Sequence, residues 1–204
     1  MSVFYTIAYR MGFAPWEKAA THPPAAAQIT TLFEREEGGR QPPYGRALDL
    51  GCGRGHWSVT LARRGWNVAG VDQVPGALRA ARLRAKDAGV EVLFAQGDVT
   101  TLTDTGIGAD FRLVWDFGTV HGLSPEQRRA VGREVSALTT DDAAILMLAW
   151  APGRRGPLPG GLSRRDLEEA FRGWRVVDEQ PFDISGLPRP LRGVDPRVYR
   201  LNRA

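Results

Sequence analysis

The chain has 204 residues, of which 43% are apolar and 25% charged, a composition typical of a single folded domain (1–204) with a sizeable core. Its one cysteine, Cys52, excludes a disulfide-stabilised secreted scaffold. The net charge of +4 comes almost wholly from arginine. Because the basic residues are scattered and no aromatic platform is interleaved with them, charge alone does not indicate a nucleic-acid surface.

The first 45 residues precede any strand pattern and predict a helical N-terminal cap. A helix is predicted from about Pro24 to Glu37, because apolar residues recur on one face and Gly38 and Gly39 follow. The N-terminus lacks a basic leader and a cleavage pattern, and the apolar run at 143–150 is less than half of the ~20 residues that span a bilayer. We therefore expect a cytoplasmic protein with no membrane contact.

From residue 46 onward, strand-like runs alternate with helical patterns. The predicted elements are strand one (46–51), a helix (56–65), strand two (67–72), a helix (75–89), strand three (90–98), strand four (111–118), a helix from a capping box at 124–127 to about 138, and strand five (143–150). This alternation is typical of βαβ units and predicts an α/β fold with a mostly parallel sheet.

The region after strand five predicts a long loop, a short helix and two further strands. Residues 151–161 are rich in glycine and proline and are long enough to act as a flap. A capping box at Ser163 and Asp166 begins the next helix. Residues 174–180 and 197–203 read as strands without a long helix between them, so the last strand can run antiparallel.

The turn after strand one contains glycines at alternate positions, in the stretch LDLGCGRGHW (48–57). Gly51, Gly53 and Gly55 let the backbone approach a ligand closely at the start of the following helix. The dinucleotide pattern G-x-G-x-x-G would place the third glycine one residue later, at position 56, where this chain has His56. The Gly-Lys-Ser/Thr ending of a Walker turn is missing as well.

Carboxylates accompany this turn at three neighbouring strands: Asp49 in strand one, Asp72 at the end of strand two and Asp98 at the end of strand three. Together they would repel a pyrophosphate and would suit a cationic amino acid joined to ribose and adenine. Asp72 is expected to accept the ribose hydroxyls, Asp98 the exocyclic amine of the base, and Asp49 to favour the ammonium and sulfonium end. The alternative is that all three are turn and cap residues of another α/β protein.

In chain order, LDLGCGRG, GVDQVPGAL, AQGDV and LVWDFGTVHGL resemble the successive motifs of class I S-adenosylmethionine-dependent methyltransferases over about residues 45–150. The resemblance implies S-adenosylmethionine as cofactor and a Rossmann-like, seven-stranded, mostly parallel sheet with helices on both faces and an antiparallel last strand. It also implies a set of cofactor-binding residues: Asp49, Gly51, Cys52, Gly53, Gly55, Asp72, Gln73, Asp98, Val99, Asp116 and Phe117.

The segment DFGTVH after strand four is similar to the corresponding segment of small-molecule methyltransferases of the thiol, thiopurine and tellurite-resistance type. This resemblance implies catalytic roles for Asp116 and His121, with His121 facing the methyl acceptor. An imidazole pKa near ~6.5 suits a base for a thiol or an acidic hydroxyl, although His121 is equally compatible with a cap of the next helix. Trp16 and Trp150 are the candidate aromatic walls of the acceptor pocket, with core packing as the alternative.

Other chemistries fit the sequence less well. Enzymes that methylate nucleobase amines usually carry an Asn/Asp-Pro-Pro-aromatic motif after strand four, and this chain has Asp116-Phe117-Gly118-Thr119 there. Methylation of carbon 5 of a pyrimidine needs a nucleophilic cysteine, whereas Cys52 lies in the cofactor turn. A catechol-type magnesium site would need acidic ligands beyond strands four and five. Strand five instead ends in Trp150, Ala151 and Pro152, so no metal is implied. We expect a small-molecule acceptor with a thiol or an aromatic or heterocyclic nucleophile; the alternatives are an RNA methyltransferase and a non-catalytic S-adenosylmethionine-binding protein.

Overall fold

The computed structural model describes residues 22–153, 160–185 and 195–204. Its helices are α1 (Pro23–Glu37), α2 (His56–Arg64), α3 (Pro75–Asp87), α4 (Pro125–Leu138) and α5 (Arg164–Ala170), with short 3-10 helices at Val99–Thr105 and Val120–Gly122. Its strands are β1 (Arg46–Leu50), β2 (Asn67–Asp72), β3 (Val92–Gln96), β4 (Phe111–Phe117), β5 (Thr139–Trp150), β6 (Trp174–Pro181) and β7 (Pro196–Arg203).

In the described residues the strands form one seven-stranded sheet in the order β3-β2-β1-β4-β5-β7-β6. The pairs among β1 to β5 are parallel, whereas β7 runs antiparallel to both β5 and β6. Apolar residues of α1 and α2 pack on one face, and those of α4 and α5 pack on the other. The structure therefore confirms the Rossmann-like α/β fold with an antiparallel last strand.

The buried strand β4 shows why the sheet needs helices on both sides. Leu113 and Trp115 point to the face covered by α1 and α2, while Val114 points to the opposite face, and all three side chains are fully buried. Successive side chains alternate across a strand, so an apolar run such as this one must be covered twice. Each such burial contributes about 1.5–3 kcal/mol.

Helix α1 is anchored to the sheet by buried carboxylates at its C-terminal end. Glu37 accepts hydrogen bonds from Nε and Nη2 of Arg64, the former at 2.7 Å, and from the Trp66 indole at 3.0 Å. Glu36 pairs with Arg200 of β7 through Nε at 2.6 Å and Nη2 at 2.9 Å. These bidentate pairs fix the position of α1 against α2 and β7.

Two element boundaries differ from the sequence prediction. Strand β3 ends at Gln96 rather than near 98, because Asp98 caps the 3-10 helix that follows and accepts the Thr100 backbone N–H at 2.8 Å. Strand β5 begins at Thr139, directly after α4 and four residues before the apolar run. Its first residues are polar and partly exposed, so hydrophobic patterning marks only the buried portion of the strand.

Parts of the predicted cap and flap lie outside the described residues. The predicted helix at 24–37 is confirmed as α1, but residues 1–21, including the candidate wall residue Trp16, are outside the described part, as are residues 154–159 of the predicted flap. Every helix in the described ranges is too short or too polar to cross a lipid bilayer.

Candidate functional site

The predicted site residues converge where the strand order reverses, between β1 and β4. From β1 the chain continues outward through β2 and β3 and then crosses back to β4 on the other side of β1, so the strand order reverses there. In open α/β sheets, ligands bind at this point, outside the carboxyl ends of the strands. The glycine turn after β1 and the turn that follows β4 therefore border the same crevice.

These two turns are joined directly by Thr119. Its hydroxyl donates a hydrogen bond to the Leu50 carbonyl at 3.0 Å. Gly51 has φ +63°, and a Cβ atom there would lie 2.1 Å from the Thr119 Oγ1. Glycine is thus required at position 51 both by the left-handed backbone and by the approach of the neighbouring turn.

The other two glycines of the turn are also left-handed, with φ +53° at Gly53 and φ +71° at Gly55. A Cβ atom at Gly55 would come within 2.9 Å of the Ala81 side chain on α3. The third glycine is therefore needed for the close packing of this turn against α3.

Asp49 is buried beside the glycine turn and accepts a hydrogen bond from the Ser58 hydroxyl of α2 at 2.5 Å. Burial raises the pKa of Asp49 to about 7, and the charges of Asp116 and Asp72 add to the rise, although the Ser58 hydrogen bond opposes it. The carboxylates of β1, β2 and β4 are thus close enough to repel one another.

Asp72 closes the glycine turn from the end of β2. One of its oxygens accepts the Gly53 backbone N–H at 2.9 Å, and the other accepts the Val74 backbone N–H at 2.8 Å. Burial raises the pKa of Asp72, while these backbone hydrogen bonds lower it. Each carboxylate oxygen can accept more than one hydrogen bond, so the side chain retains capacity for a ligand's hydroxyl groups.

Asp98 lies at the end of the next strand, half-buried, with both oxygens engaged within the protein. One oxygen accepts the backbone N–H and the hydroxyl of Thr100, at 2.8 and 2.7 Å. The other accepts the side-chain amide of Gln73, and Val99 is buried in the core behind it. Gln73 and Asp98 thus meet as one polar pair, and their predicted contact with the cofactor base stays a prediction.

Cys52 faces inward from the turn. Its backbone N–H donates to the Val71 carbonyl at 3.0 Å, and its side chain is buried. Burial raises the pKa of the Cys52 thiol, and the charges of Asp49 and Asp72 raise it further. This environment disfavours the thiolate that a nucleophilic role requires.

Asp116 lies beneath the turn after β4. Its fully buried carboxylate accepts the Thr119 backbone N–H at 2.8 Å and the Val120 N–H at 3.2 Å. Burial raises the pKa of Asp116 to about 7, opposed by these backbone hydrogen bonds. The geometry gives this side chain the task of holding the turn; its predicted catalytic role stays a prediction.

Phe117 follows on the opposite face of β4 and is half-buried. Its ring centroid lies 5.7 Å from that of Trp57, 5.8 Å from that of Trp115 and 6.2 Å from that of Phe182. The end of β4 therefore carries an aromatic surface on the side of the sheet covered by α1 and α2.

His121 and Trp150 come together as a stacked pair beyond β4 and β5. Their rings lie 4.9 Å apart with an interplanar angle of 22°, and His121 is 3% exposed. Arg128 of α4 donates to the carbonyls of His121 and Gly161, at 2.8 and 2.9 Å. The guanidinium thus ties the His121 turn to the end of the loop that follows β5.

The carboxylates of Asp49, Asp72 and Asp116 make their described hydrogen bonds with hydroxyl and backbone N–H groups. Where these groups are ionised, their negative charges would attract a cationic ligand and repel a phosphate. Carboxylates of this kind are compatible with the sulfonium and ribose groups of S-adenosylmethionine, and the expected contacts of Asp72 with the ribose and of Asp49 with the charge stay predictions.

Sequence reasoning missed the residues that hold this crevice together, among them Ser58, Thr119 and Arg128. Ser58 could have been predicted, because a hydroxyl on the buried face of α2, nine residues after Asp49, can reach the carboxylate of that strand residue. Thr119 and Arg128 contact backbone carbonyls that are distant in the chain, and such contacts leave no local pattern.

Residues 47–142, just under half of the chain, match the family model described as a methyltransferase domain. A ubiquinone biosynthesis O-methyltransferase of Azorhizobium caulinodans is 46% identical over 61 residues, which are 30% of this chain and 24% of that protein. The chain thus matches about a quarter to a third of the length of the first curated relatives.

A longer match joins this chain to the 2-heptyl-1-hydroxyquinolin-4(1H)-one methyltransferase of Mycobacteroides abscessus. The two are 28% identical over 178 residues, which cover 82% of this chain and 74% of that protein. The 1,6-didemethyltoxoflavin-N1-methyltransferase of Burkholderia thailandensis, solved with 1,6-didemethyltoxoflavin and S-adenosylhomocysteine, superposes with a TM-score of 0.71 at 23% identity, over 98% of this chain and 86% of that chain. Because the sequence identity to the Burkholderia enzyme is only 23%, this superposition shows a shared fold alone.

Proposed function

We propose that this chain, which carries a methyltransferase domain over residues 47–142, transfers a methyl group from S-adenosylmethionine to a small molecule with a thiol or an aromatic or heterocyclic nucleophile. The observation that carries the proposal is the group of buried carboxylates at the carboxyl ends of β1, β2 and β4, beside a turn of left-handed glycines. A cationic nucleoside fits this crevice and a nucleotide does not.

S-adenosylmethionine supplies an activated methyl group that an in-line nucleophile can accept. The protein therefore needs to position the acceptor, exclude water and accept a proton where the nucleophile arrives protonated. Asp72 would hold the ribose hydroxyls, and Asp49 would balance the positive charge. Asp116 would act indirectly, by holding the backbone of the turn after β4 in place.

His121 is the residue we assign to the acceptor. Its ring is stacked on Trp150 at the carboxyl ends of β4 and β5, and the Arg128 guanidinium holds its carbonyl. A neutral imidazole in this place can accept a proton from a thiol or an acidic hydroxyl, and Trp150 fixes the plane of the ring. An aromatic thiol that is already ionised at neutral pH would not need this base.

Two observations support a small heteroaromatic or thiol acceptor over a nucleic acid. The 28%-identical relative is named for a quinolinone, a flat bicyclic heterocycle. Part of the arginine surplus on which an RNA methyltransferase would depend is engaged in ion pairs with carboxylates; among the described residues, Arg35, Arg40, Arg64, Arg112, Arg164, Arg165, Arg197 and Arg200 have such partners. An arginine engaged with a carboxylate has part of its charge balanced within the protein.

The proposal is tested by calorimetric binding of S-adenosylmethionine, followed by a screen for release of S-adenosylhomocysteine with thiols, phenols, heterocyclic amines and RNA. We expect saturable cofactor binding and turnover with at least one small acceptor. Lack of saturable binding would refute the cofactor assignment. Binding without turnover on any acceptor would favour a non-catalytic role, and salt-sensitive turnover on RNA alone would favour a nucleic-acid substrate.

The His121→Ala variant tests the assigned base within the same screen. We expect a loss of about 10²–10⁴-fold in kcat with acceptors that arrive protonated, and a much smaller loss with thiols ionised at neutral pH. An equal loss on both classes would instead assign His121 a structural role.

A further inference from the structure

We propose that Gln28 of α1 is a positioning residue that holds Phe182 against Phe117 and so makes the acceptor side of the crevice selective for flat aromatic molecules. This inference rests on the proposed function and deepens it, because it names the part of the chain that would recognise the acceptor's shape. Gln28 lies 19 residues before the methyltransferase domain begins at 47.

The Gln28 side chain binds the backbone on both sides of Phe182. Its amide nitrogen donates to the Pro181 carbonyl at 2.8 Å, and its amide oxygen accepts the Asp183 N–H at 3.0 Å. One side chain thus reproduces the paired donor and acceptor that a neighbouring strand would offer. The Phe182 N–H itself donates to the Pro196 carbonyl at 2.9 Å, so three consecutive residues have their backbone positions fixed.

Phe182 in turn packs edge-on against the end of β4. Its ring makes an angle of 80° with that of Phe117 at a centroid distance of 6.2 Å, the T-shaped arrangement that aromatic pairs prefer. Phe182 is 8% exposed, whereas Phe117 is only half-buried. In this proposal Phe117 is the aromatic surface for the acceptor, and Phe182 supports it by packing edge-on against its ring.

This surface lies at the same end of the sheet as the His121 and Trp150 stack. Phe117 is paired with Leu148 of β5, and Trp150, two residues further along, is paired with Pro196 of β7. Pro196 is also the residue whose carbonyl accepts the Phe182 N–H. Aromatic groups from β4, β5 and the segment after β6 thus lie at the same end of the sheet, an arrangement that would favour a flat acceptor over a small aliphatic one.

A residue that only attaches α1 to the sheet should not change the preference for aromatic acceptors. Arg35 is such a residue and serves as the matched control. Arg35, on the same helix, pairs with Asp178 of the same strand β6 at 2.5 Å; this pair is exposed, and Asp178 lies four residues before Phe182 in the chain. Replacing Gln28 with Leu removes both backbone hydrogen bonds at similar volume. Replacing Arg35 with Gln loosens the same helix–strand contact without touching the aromatic surface.

The test compares wild type, Gln28→Leu and Arg35→Gln with thiophenol and 2-mercaptoethanol as methyl acceptors. For Gln28→Leu we expect KM for thiophenol to rise about three- to tenfold, the range of an aromatic pair interaction, with kcat and the values for 2-mercaptoethanol within twofold. Arg35→Gln should behave like wild type. Equal KM increases for both thiols, or the same change in Arg35→Gln, would overturn the proposal.

A binding measurement keeps the inference separable from the proposed function. Thioanisole, the product of thiophenol methylation, is titrated by calorimetry into each protein in the presence of S-adenosylhomocysteine. We expect Gln28→Leu to bind thioanisole about three- to tenfold more weakly, while its affinity for S-adenosylhomocysteine is unchanged. If wild type releases no S-adenosylhomocysteine with any acceptor, the proposed function fails, but a selective loss of thioanisole binding still supports the positioning role. Equal thioanisole affinities, or none in wild type, would refute it.

Discussion

The buried carboxylates of the crevice make a specific prediction about pH. The pKa values of Asp49 and Asp116 both lie at about 7 without a ligand, chiefly because of burial. A cationic ligand binds best when these groups are ionised, so its affinity should rise as the pH increases through 7. S-adenosylhomocysteine carries the same amino acid, ribose and base but lacks the sulfonium charge, so the ratio of the two affinities isolates the electrostatic part.

The magnitude follows from the titration. A carboxyl group with a pKa of about 7 is ionised in about one molecule in eleven at pH 6 and in about ten of eleven at pH 8. Binding that requires the ionised form therefore weakens about tenfold between pH 8 and pH 6 for each such group, or about 1.4 kcal/mol. If Asp49 is the group that senses the sulfonium, the Asp49→Asn variant should lose one factor of about ten from this pH dependence.

The assay is calorimetry of S-adenosylmethionine and S-adenosylhomocysteine at pH 6, 7 and 8, on wild type and Asp49→Asn. We expect the ratio of the two affinities to rise about tenfold or more across this range in wild type and to be flatter in the variant. A pH-independent ratio in wild type, or an identical slope in the variant, would refute the electrostatic reasoning on which the cofactor assignment rests.

Three further predictions concern stability and are measured by thermal or urea unfolding. Gly51→Ala should cost about 3 kcal/mol or more, because it adds left-handed strain to a clash with Thr119, whereas Gly39→Ala, also left-handed but with open space around it, should cost about 1–2 kcal/mol; equal losses would show that the Thr119 contact is unimportant. Glu37→Gln should cost about 2 kcal/mol, since its partner guanidinium is 23% exposed; a change within 0.5 kcal/mol, the ordinary range of surface substitutions, would contradict the anchoring role. In the ligand-free protein burial raises the pKa of Asp49 from its unfolded value of 3.8 to about 7, so the folded state holds a proton that the unfolded state loses, and wild type becomes less stable as the pH rises toward 7. The free energy of unfolding of Asp49→Asn should therefore increase by about 2–3 kcal/mol relative to that of wild type between pH 5 and pH 8. A constant difference between the two proteins would show that the carboxyl group is not buried in this way.

Most of the sheet is encoded locally and was therefore predictable. The alternation of apolar strands with capped helices fixed the order of the elements, and the boxes at Ser124 and Ser163 mark the starts of α4 and α5 as expected. The boundaries that differ lie where polar residues extend an element, as at the start of β5, or where a side chain caps the next one, as Asp98 does.

The convergence of Asp49, Asp72 and the glycine turn could be predicted from the sequence, whereas the residues that support them could not. Motif order placed Asp49, Asp72 and the glycine turn together, because strand ends converge in a parallel sheet. The supports depend on contacts between distant segments, as between Gln28 and residues 181–183, which are 153 and 155 positions apart. No periodicity or short motif records such a pair, so only three-dimensional coordinates reveal it.

The tie between Thr119 and the β1 turn has a consequence for how acceptor preference can change. A substitution that shifts the turn after β4 also displaces Leu50 and Gly51, so altering the acceptor there would disturb cofactor affinity as well. The segment after β6 makes its described backbone contacts with α1 and β7 instead. Directed evolution toward new acceptors should therefore accumulate changes around 181–185 and 28 while leaving 119 untouched.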